Sequence, residues 1–270
     1  DGTSVYITQD MYLADLRYND FKFDKLIYVV ASEQNNHFQQ LFKILELLKR
    51  PYAKNLYHLS YGLVNLPSGR MKSREGTVVD ADEIMDEISS LAEKEIKKRH
   101  TNLTKEKIKL RSEIIALGAI KFFMLKTDAS RDMIFNPEES LSFEGETGPY
   151  VQYTHARSCS ILRKAKKEFK KSVTPKVNFE SINLEKELTV VKLLYEFPTV
   201  LTKMAETYKP HHLTQYLIAL SQAFNEFYHK CPVISEMEHQ MKSRLLLVDS
   251  VRQVLENGLN LLGIKAPEEM

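Results

Sequence analysis

The chain has 270 residues, of which 43% are hydrophobic and 27% are charged, and 38 Lys and Arg against 36 Asp and Glu leave a net charge of +2. This length favours two domains, and this composition excludes a disordered chain. The apolar runs are only a few residues long, so no segment is predicted to span a membrane. The two cysteines, Cys159 and Cys231, are too few for a disulfide framework or a zinc site and favour a cytoplasmic protein.

The first part of the chain alternates between predicted strands and a helix. β-Branched and aromatic residues predict a strand over 5–8, and a nearly continuous apolar run predicts another over 25–31, buried on both faces of a parallel sheet. Apolar residues at helical spacing over 38–48, ahead of Pro51, predict a helix, and 55–64 is predicted to be a further strand. Such a βαβ unit places ligands at the carboxyl ends of its strands.

The rest of the chain is predicted to be mostly helical. A polar, basic loop covers 67–76, and Asp80 with Glu83 forms a capping box for a charged helix that runs to about His100. Apolar stripes on the later segments predict a helical bundle. The predicted helices of this region are 105–127, 148–171, 184–208, 211–230 and 235–262. The fold class is therefore α/β followed by all-α.

Polar residues cluster around the ends of the predicted strands. Asp10, with Tyr6 nearby, could bind a cation or hold a guanidinium through two parallel hydrogen bonds. The alternative is that Asp10 caps a helix beginning at Met11 while Tyr6 packs in the sheet. Residues 33–37 could hydrogen-bond a nucleotide or an amino acid, or they form an ordinary connection with Asn36 as the helix cap.

Two further segments carry cations. Arg70, Lys72 and Arg74 lie on the glycine-bracketed loop and could stabilise a leaving pyrophosphate, although a solvated basic loop is the alternative. Tyr153 and Arg157 lie on a helix with a basic end, where aromatic and cationic side chains suit unstacked RNA bases and phosphates. The alternative is a helix with buried tyrosines and a solvated end. The histidines show no metal-ligand spacing, so no protein metal site is predicted.

Five segments, in this order along the chain, resemble signature motifs of the arginyl-tRNA synthetases. The first is similar to DGTxxYxTRD, the second to the variant KMSKS loop, and the third to the GDTGPYLQYAHAR helix. The segments are 1–10, 71–79, 145–157, 222–233 and 254–264. The resemblance covers essentially the whole chain. It implies an ATP-dependent ligation of L-arginine to tRNA(Arg), with Mg²⁺ accompanying ATP and no tightly bound cofactor.

The resemblance also implies roles for residues in the catalytic half of the fold. Tyr6, Asp10 and Gln34 match positions that hold the arginine substrate, with Asp10 facing its guanidinium, and His37 matches a position on the ATP side. The catalytic residues implied for the loop that closes on the ATP phosphates are Lys72, Ser73 and Arg74.

In the helical half, the resemblance implies contact with the tRNA anticodon region. The matching positions are Tyr153, Arg157, Tyr228 and Met270. The implied domains are the C-terminal part of a Rossmann-type catalytic domain (1–66), the phosphate loop with connecting helices (67–149) and an α-helical anticodon-binding domain (150–270). We expect a monomer that does not bind membranes.

Besides Gln9, which stands in place of the usual Arg of the first motif, the sequence departs from the family pattern in three ways. Glu75 stands where the loop usually carries a second cation, and Glu269 replaces an arginine in the usual Pro-Glu-Arg-Met ending. No His-x-Gly-His occurs, although class I synthetases need this HIGH motif in the first half of the fold. We therefore expect the chain to correspond to the C-terminal half of the enzyme and to be inactive alone. The alternatives are a non-catalytic tRNA-binding module, another class I synthetase with a similar bundle, and a helical adaptor protein.

Overall fold

The computed structural model describes residues 4–65, 67, 80–99, 103–235 and 237–270. The chain divides into two compact units: Asp1–Asn65 together with Ala129–Ile134, and Leu66–Asp128 together with Phe135–Met270. The three domains implied at the sequence level remain a prediction. Within the described ranges, no helix is both long enough and apolar enough to cross a membrane.

The first unit contains a small parallel sheet flanked by helices. Strands β1 and β2 pair in parallel, from Leu26 opposite Leu56 to Ala31 opposite Tyr61, which confirms the predicted βαβ unit. A second parallel pair joins β3 to β4, a strand that the sequence did not predict. The elements are α1 (Tyr6–Phe21), β1 (Leu26–Ala31), α2 (Asn35–Leu47), β2 (Leu56–Tyr61), β3 (Val64–Asn65) and β4 (Met133–Ile134).

The predicted strand over 5–8 is wrong, because Val5 is the N-cap of α1 and the other three residues belong to that helix. The β-forming residues there are outweighed by helical periodicity: one face of α1 packs on a core that includes Phe38 and Leu41. The residues of that face are Ile7, Met11, Ala14 and Tyr18. Packing on a shared core decides between two local preferences that are individually weak.

Strand β1 is not buried on both faces, contrary to the prediction. Tyr28 points to the helices, where its ring centre lies 4.9 Å from that of Phe38. Val29, one residue along, is 62% exposed, and Ile27 is 37% exposed. Successive side chains of a strand point to opposite faces, and the described helices of this unit cover only one of them.

The second unit is helical, as predicted. Four helices lie close to the predicted bounds, α8 matches them, and α9 begins three residues later than expected; the short α5 was not predicted. The elements are α3 (Ala81–Arg99), α4 (Lys105–Leu125), α5 (Pro137–Ser140), α6 (Gly148–Phe169), α7 (Glu185–Thr207), α8 (His211–Lys230) and α9 (Glu238–Leu261).

The core of this unit lies mainly between α6, α8 and α9, and α7 packs against it. The predicted apolar stripes of α8 and α9 are both buried, and Leu217, Phe224, Leu245 and Val248 are fully inaccessible to solvent. Each such side chain contributes roughly 1.5–3 kcal/mol relative to an exposed one. Gly258 brings α9 against Leu217, because a Cβ there would lie 2.5 Å from a Leu217 methyl carbon.

A buried ion pair joins α7 to α9. Arg244 Nε donates to Glu187 Oε1 at 2.7 Å, and the side chains are only 4% and 0% exposed. Glu187 Oε2 accepts hydrogen bonds from the backbone N–H groups of Asn183 and Leu184, ahead of the first turn of α7. Arg244 Nη1 also donates to Pro232 O at 2.7 Å. These bonds compensate for removing both charges from water.

Candidate functional site

In the first unit, polar side chains gather where β1 and β2 end. A 3₁₀ turn over Ser32–Gln34 follows β1 and leads directly into α2. Ser60 Oγ, near the end of β2, donates to Asn35 Oδ1 at 2.8 Å. The His58 ring packs on the Phe38 ring. Its Nε2 lies 2.9 Å from the backbone oxygen of Val30. Polar side chains from β2 and from the start of α2 therefore lie near this edge of the sheet, and ligand binding there stays a prediction.

The structure brings Asp10 and His37 together at this unit. Asp10 Oδ2 lies 2.7 Å from His37 Nε2, and the two side chains are 35% and 22% exposed. The ring nitrogen donates, since carboxylate oxygens accept. This contact fixes the orientation of a half-exposed carboxylate while using only one of its oxygens for the bond.

The helix caps and the sheet packing suggested as alternatives for these residues are wrong, whereas residues 33–37 do connect β1 to α2. Helix α1 begins at Tyr6 with Val5 at its N-cap, so Asp10 lies in the helix and caps nothing. Tyr6 is 83% exposed and does not pack in the sheet. Helix α2 begins at Asn35 after Gln34, so Asn36 is not its cap.

Only some of the other predicted residues of this half lie within the described part of the chain. Tyr6 and Asp10 lie one turn apart on α1, on the same side of the helix. Gln34 is exposed at the end of the 3₁₀ turn, three residues before His37. The loop residues Lys72, Ser73 and Arg74 lie outside the described residues.

In the second unit, Arg157 is the centre of a polar and aromatic cluster. Its Nη1 donates to Asn225 Oδ1 at 2.6 Å and its Nη2 to the Tyr153 hydroxyl at 3.2 Å. The guanidinium carbon lies 4.7 Å from the ring centre of Tyr153 and 5.9 Å from that of Tyr228. Asn225 in turn donates to the Tyr150 hydroxyl at 3.0 Å. The cluster holds a cation between two aromatic rings on α6 and α8.

Sequence reasoning did not single out Asn225. It lies in the motif-like segment 222–233, but its role depends on the pairing of α6 with α8, which no local pattern reveals. Tyr153 and Arg157 are half-buried, so neither the buried-face alternative nor full exposure describes them.

Two grooves meet at Tyr153 and Arg157. The larger, about 1120 Å³, is also lined by Lys94 and Lys98 of α3 and by Asn225. The smaller, about 430 Å³, is also lined by Met270. All four residues implied for RNA contact therefore lie at or beside the Arg157 cluster.

Met270 is held near this cluster by the anchoring of the preceding residues on α6. The buried Gln152 donates to Lys265 O at 2.8 Å, and His155 Nδ1 lies 2.9 Å from Pro267 O. Burial lowers the pKa of His155 below its ordinary value of 6.5, although the bond to Pro267 opposes this shift. The ring is thus neutral at pH 7 and serves as a structural donor.

The basic end of α6 is largely exposed. Lys164 pairs with Glu168 at 3.9 Å, and Lys171, just beyond the helix, pairs with Glu238 at 2.8 Å, so part of the positive charge here is compensated. Lys166 and Lys167 remain at the surface of the same end.

Burial raises the pKa of the Cys159 thiol, which disfavours its nucleophilic form. Nowhere in the described part of the chain do three or more His, Cys, Asp or Glu side chains converge as metal ligands.

Two protein families match the sequence in chain order. "tRNA synthetases class I (R), catalytic domain" matches residues 1–137, and "DALR anticodon binding domain" matches residues 151–270. The arginine–tRNA ligase of Treponema pallidum subsp. pallidum is 45% identical over 273 residues, covering 100% of this chain and 46% of the relative. That of Amoebophilus asiaticus is 44% identical, with the same coverage of both chains. The chain thus spans about half the length of these curated relatives.

Solved structures show the same likeness. The arginyl-tRNA synthetase of Thermus thermophilus superposes with a TM-score of 0.89 at 29% identity, over 100% of this chain and 50% of that one. The arginyl-tRNA synthetase of Plasmodium falciparum gives a TM-score of 0.81 at 25% identity, over 100% of this chain and 45% of that one. The described fold is therefore that of about half of each of these proteins.

Proposed function

Because this chain belongs to the arginyl class I tRNA synthetases, we propose that the full-length protein is an arginine–tRNA ligase of the cytoplasm. The observation that carries the proposal is the match of the entire chain to arginine–tRNA ligases, with the catalytic and anticodon-binding families in chain order. Its substrates are L-arginine, ATP accompanied by Mg²⁺, and tRNA(Arg). We assign no described residue as a ligand of that Mg²⁺, and we propose a monomer.

The reaction has two steps. The carboxylate of arginine attacks the α-phosphate of ATP and pyrophosphate leaves. A hydroxyl at the 3′ end of the tRNA then attacks the activated arginine, and AMP leaves. Departure of pyrophosphate needs cations more than it needs a protein nucleophile. Lys72, Ser73 and Arg74 are our candidates for this role on the strength of their motif, since they lie outside the described residues.

Asp10 is the proposed ligand of the arginine guanidinium. A carboxylate accepts two parallel hydrogen bonds from a guanidinium, and such charge-assisted bonds are the strongest that a side chain can offer. Its bond to His37 supports this role, because it fixes the carboxylate before the substrate arrives. Tyr6, on the same side of α1, and Gln34, beyond β1, are proposed to complete the arginine site, and His37 to line the ATP side.

Replacement of Asp10 tests the arginine site. In the full-length protein, Asp10→Asn should raise the KM for arginine in ATP–pyrophosphate exchange by a factor equivalent to about 2–5 kcal/mol, because it removes the charge opposite the guanidinium. Asp20→Asn, on the exposed side of the same helix, is the matched control. An unchanged KM for arginine in Asp10→Asn would remove Asp10 from the site.

The Arg157 cluster is the proposed contact for the anticodon region. Rings of Tyr153 and Tyr228 beside a cation suit the stacking of unpaired bases and the binding of their phosphates. Met270, in the smaller groove with Tyr153, offers an apolar contact beside them.

Binding of a tRNA(Arg) transcript and of a transcript with a swapped anticodon tests this assignment. Discrimination that persists from low to moderate salt supports a working anticodon domain, and Tyr153→Ala should then weaken binding by about 1–3 kcal/mol. Equal binding of both transcripts that disappears with salt would mean only general phosphate attraction. Normal tRNA binding with no exchange activity in the full-length protein would favour the non-catalytic module.

A further inference from the structure

The smaller groove beside the Arg157 cluster is rich in guanidinium groups. Arg111 reaches it from α4, while Arg157 and Arg163 reach it from α6, six residues apart. The Arg111 side chain is only 17% exposed, so its position is set by its surroundings rather than by solvent. These three cations line the same groove as Tyr153 and Met270.

One carboxylate already lies between two of these cations. Glu269 Oε2 is 2.7 Å from Arg111 Nη2, and Glu269 Oε1 is 3.8 Å from Arg163 Nη2. Arg163 also donates to Glu268 O at 3.1 and 3.2 Å, and its Nη1 lies 3.7 Å from the Glu268 carboxylate. Two oxygens of one anionic group facing two guanidiniums is the arrangement that a phosphate adopts as well.

The Glu269 contact is not what anchors this segment. The backbone is held upstream by Gln152 at Lys265 and by His155 at Pro267, both through buried side chains. The Glu269 side chain is 61% exposed, and exposed ion pairs are weak. An incoming anion can therefore replace this carboxylate without loosening the segment.

We propose that Arg111 and Arg163 form a phosphate-binding site for the RNA backbone, and that the Glu269 carboxylate occupies this site until RNA displaces it. The proposal rests on the proposed function, since it requires RNA to bind at the Arg157 cluster. A nucleotide whose base stacks on Tyr153 brings its phosphate within the same groove. Glu269 thus lowers the affinity for every RNA by competing for one phosphate position.

The test measures the binding of a labelled tRNA(Arg) transcript to the full-length protein and its variants. Glu269→Gln removes the competing charge and should tighten binding by about two- to fivefold, the range of an exposed ion pair. Arg111→Gln with Arg163→Gln should weaken binding and reduce the slope of log affinity against log salt by about 0.7 for the lost phosphate contact. Glu206→Gln, an exposed carboxylate on α7 that lines neither groove, is the charge-matched control.

The combination of variants decides between a local site and a general charge effect. If Glu269 acts at this site, its replacement no longer tightens binding once Arg111 and Arg163 are both Gln. The proposal would be overturned if Glu269→Gln raised tRNA affinity equally when Arg111 and Arg163 are both Gln. It would also be overturned if Glu206→Gln raised the affinity as much, or if Glu269→Gln did not raise it in the parent protein. If Arg157→Gln leaves tRNA binding unchanged, the proposed function of the cluster fails instead, which is a separate result.

Discussion

The substitution Asn225→Ala isolates the positioning of Arg157 from its charge. It removes the 2.6 Å hydrogen bond that fixes the guanidinium, together with the amide donor to Tyr150, but leaves the cation in place. A hydrogen bond to a charged group contributes about 1.5–3 kcal/mol, and the lower end applies here because the site is half-exposed. Arg157 retains its 3.2 Å bond to the Tyr153 hydroxyl, which limits the loss further.

We therefore expect Asn225→Ala to weaken binding of tRNA(Arg) by about 1.5 kcal/mol, roughly tenfold, with an unchanged salt slope. Arg157→Gln should instead reduce the slope by about 0.7, because a phosphate contact is lost. The assay is equilibrium binding across a salt series, with urea unfolding to follow stability. Gln222→Ala, exposed on the same helix, is the control. A loss of stability with unchanged tRNA affinity would show that Asn225 serves only the fold.

Three further predictions concern the helical unit and are read out as free energies of unfolding. Glu187→Gln should lower the free energy of unfolding by about 3–5 kcal/mol, because Arg244 stays charged and buried without its partner. A loss below about 1 kcal/mol would contradict this reason. The free energy of unfolding should fall as the pH drops below 6.5, because the histidine binds a proton in the unfolded state that buried His155 resists in the folded state. His155→Gln should flatten this pH dependence. An identical pH profile in that variant would show that His155 is not its cause. Gly148→Ala should destabilise by about 1–3 kcal/mol, because the new Cβ would lie 2.3 Å from Gly118 O, and an unaltered urea midpoint would contradict it.

Much of the helical half was predictable from periodicity. The stripes of α8 and α9 have many apolar residues at regular spacing, so their burial follows from the sequence. The first helix was not predictable in the same way, since Tyr6, Ile7 and Thr8 favour a strand locally and only packing on the α2 core makes them helical. Strand β4 has two residues and exists only through pairing with β3, so no local pattern indicates it.

The candidate sites, too, were predictable from the sequence only in part. Motif resemblance pointed to Asp10 and His37 separately, but their 2.7 Å contact depends on how α1 and α2 pack. Resemblance likewise singled out Arg157 and Tyr153, while Asn225 emerges only from the pairing of α6 with α8. The contact between Glu269 and Arg111 joins residues 158 positions apart, beyond any spacing argument.

The charging of a tRNA(Arg) transcript with radiolabelled arginine, in the presence of ATP, tests the central claim most directly. The full-length protein should charge this tRNA with arginine and not with lysine or glutamine. The 270-residue chain alone, which contains no His-x-Gly-His, should bind the tRNA without charging it. Charging with another amino acid, or failure of the full-length protein to charge with arginine, would contradict the account.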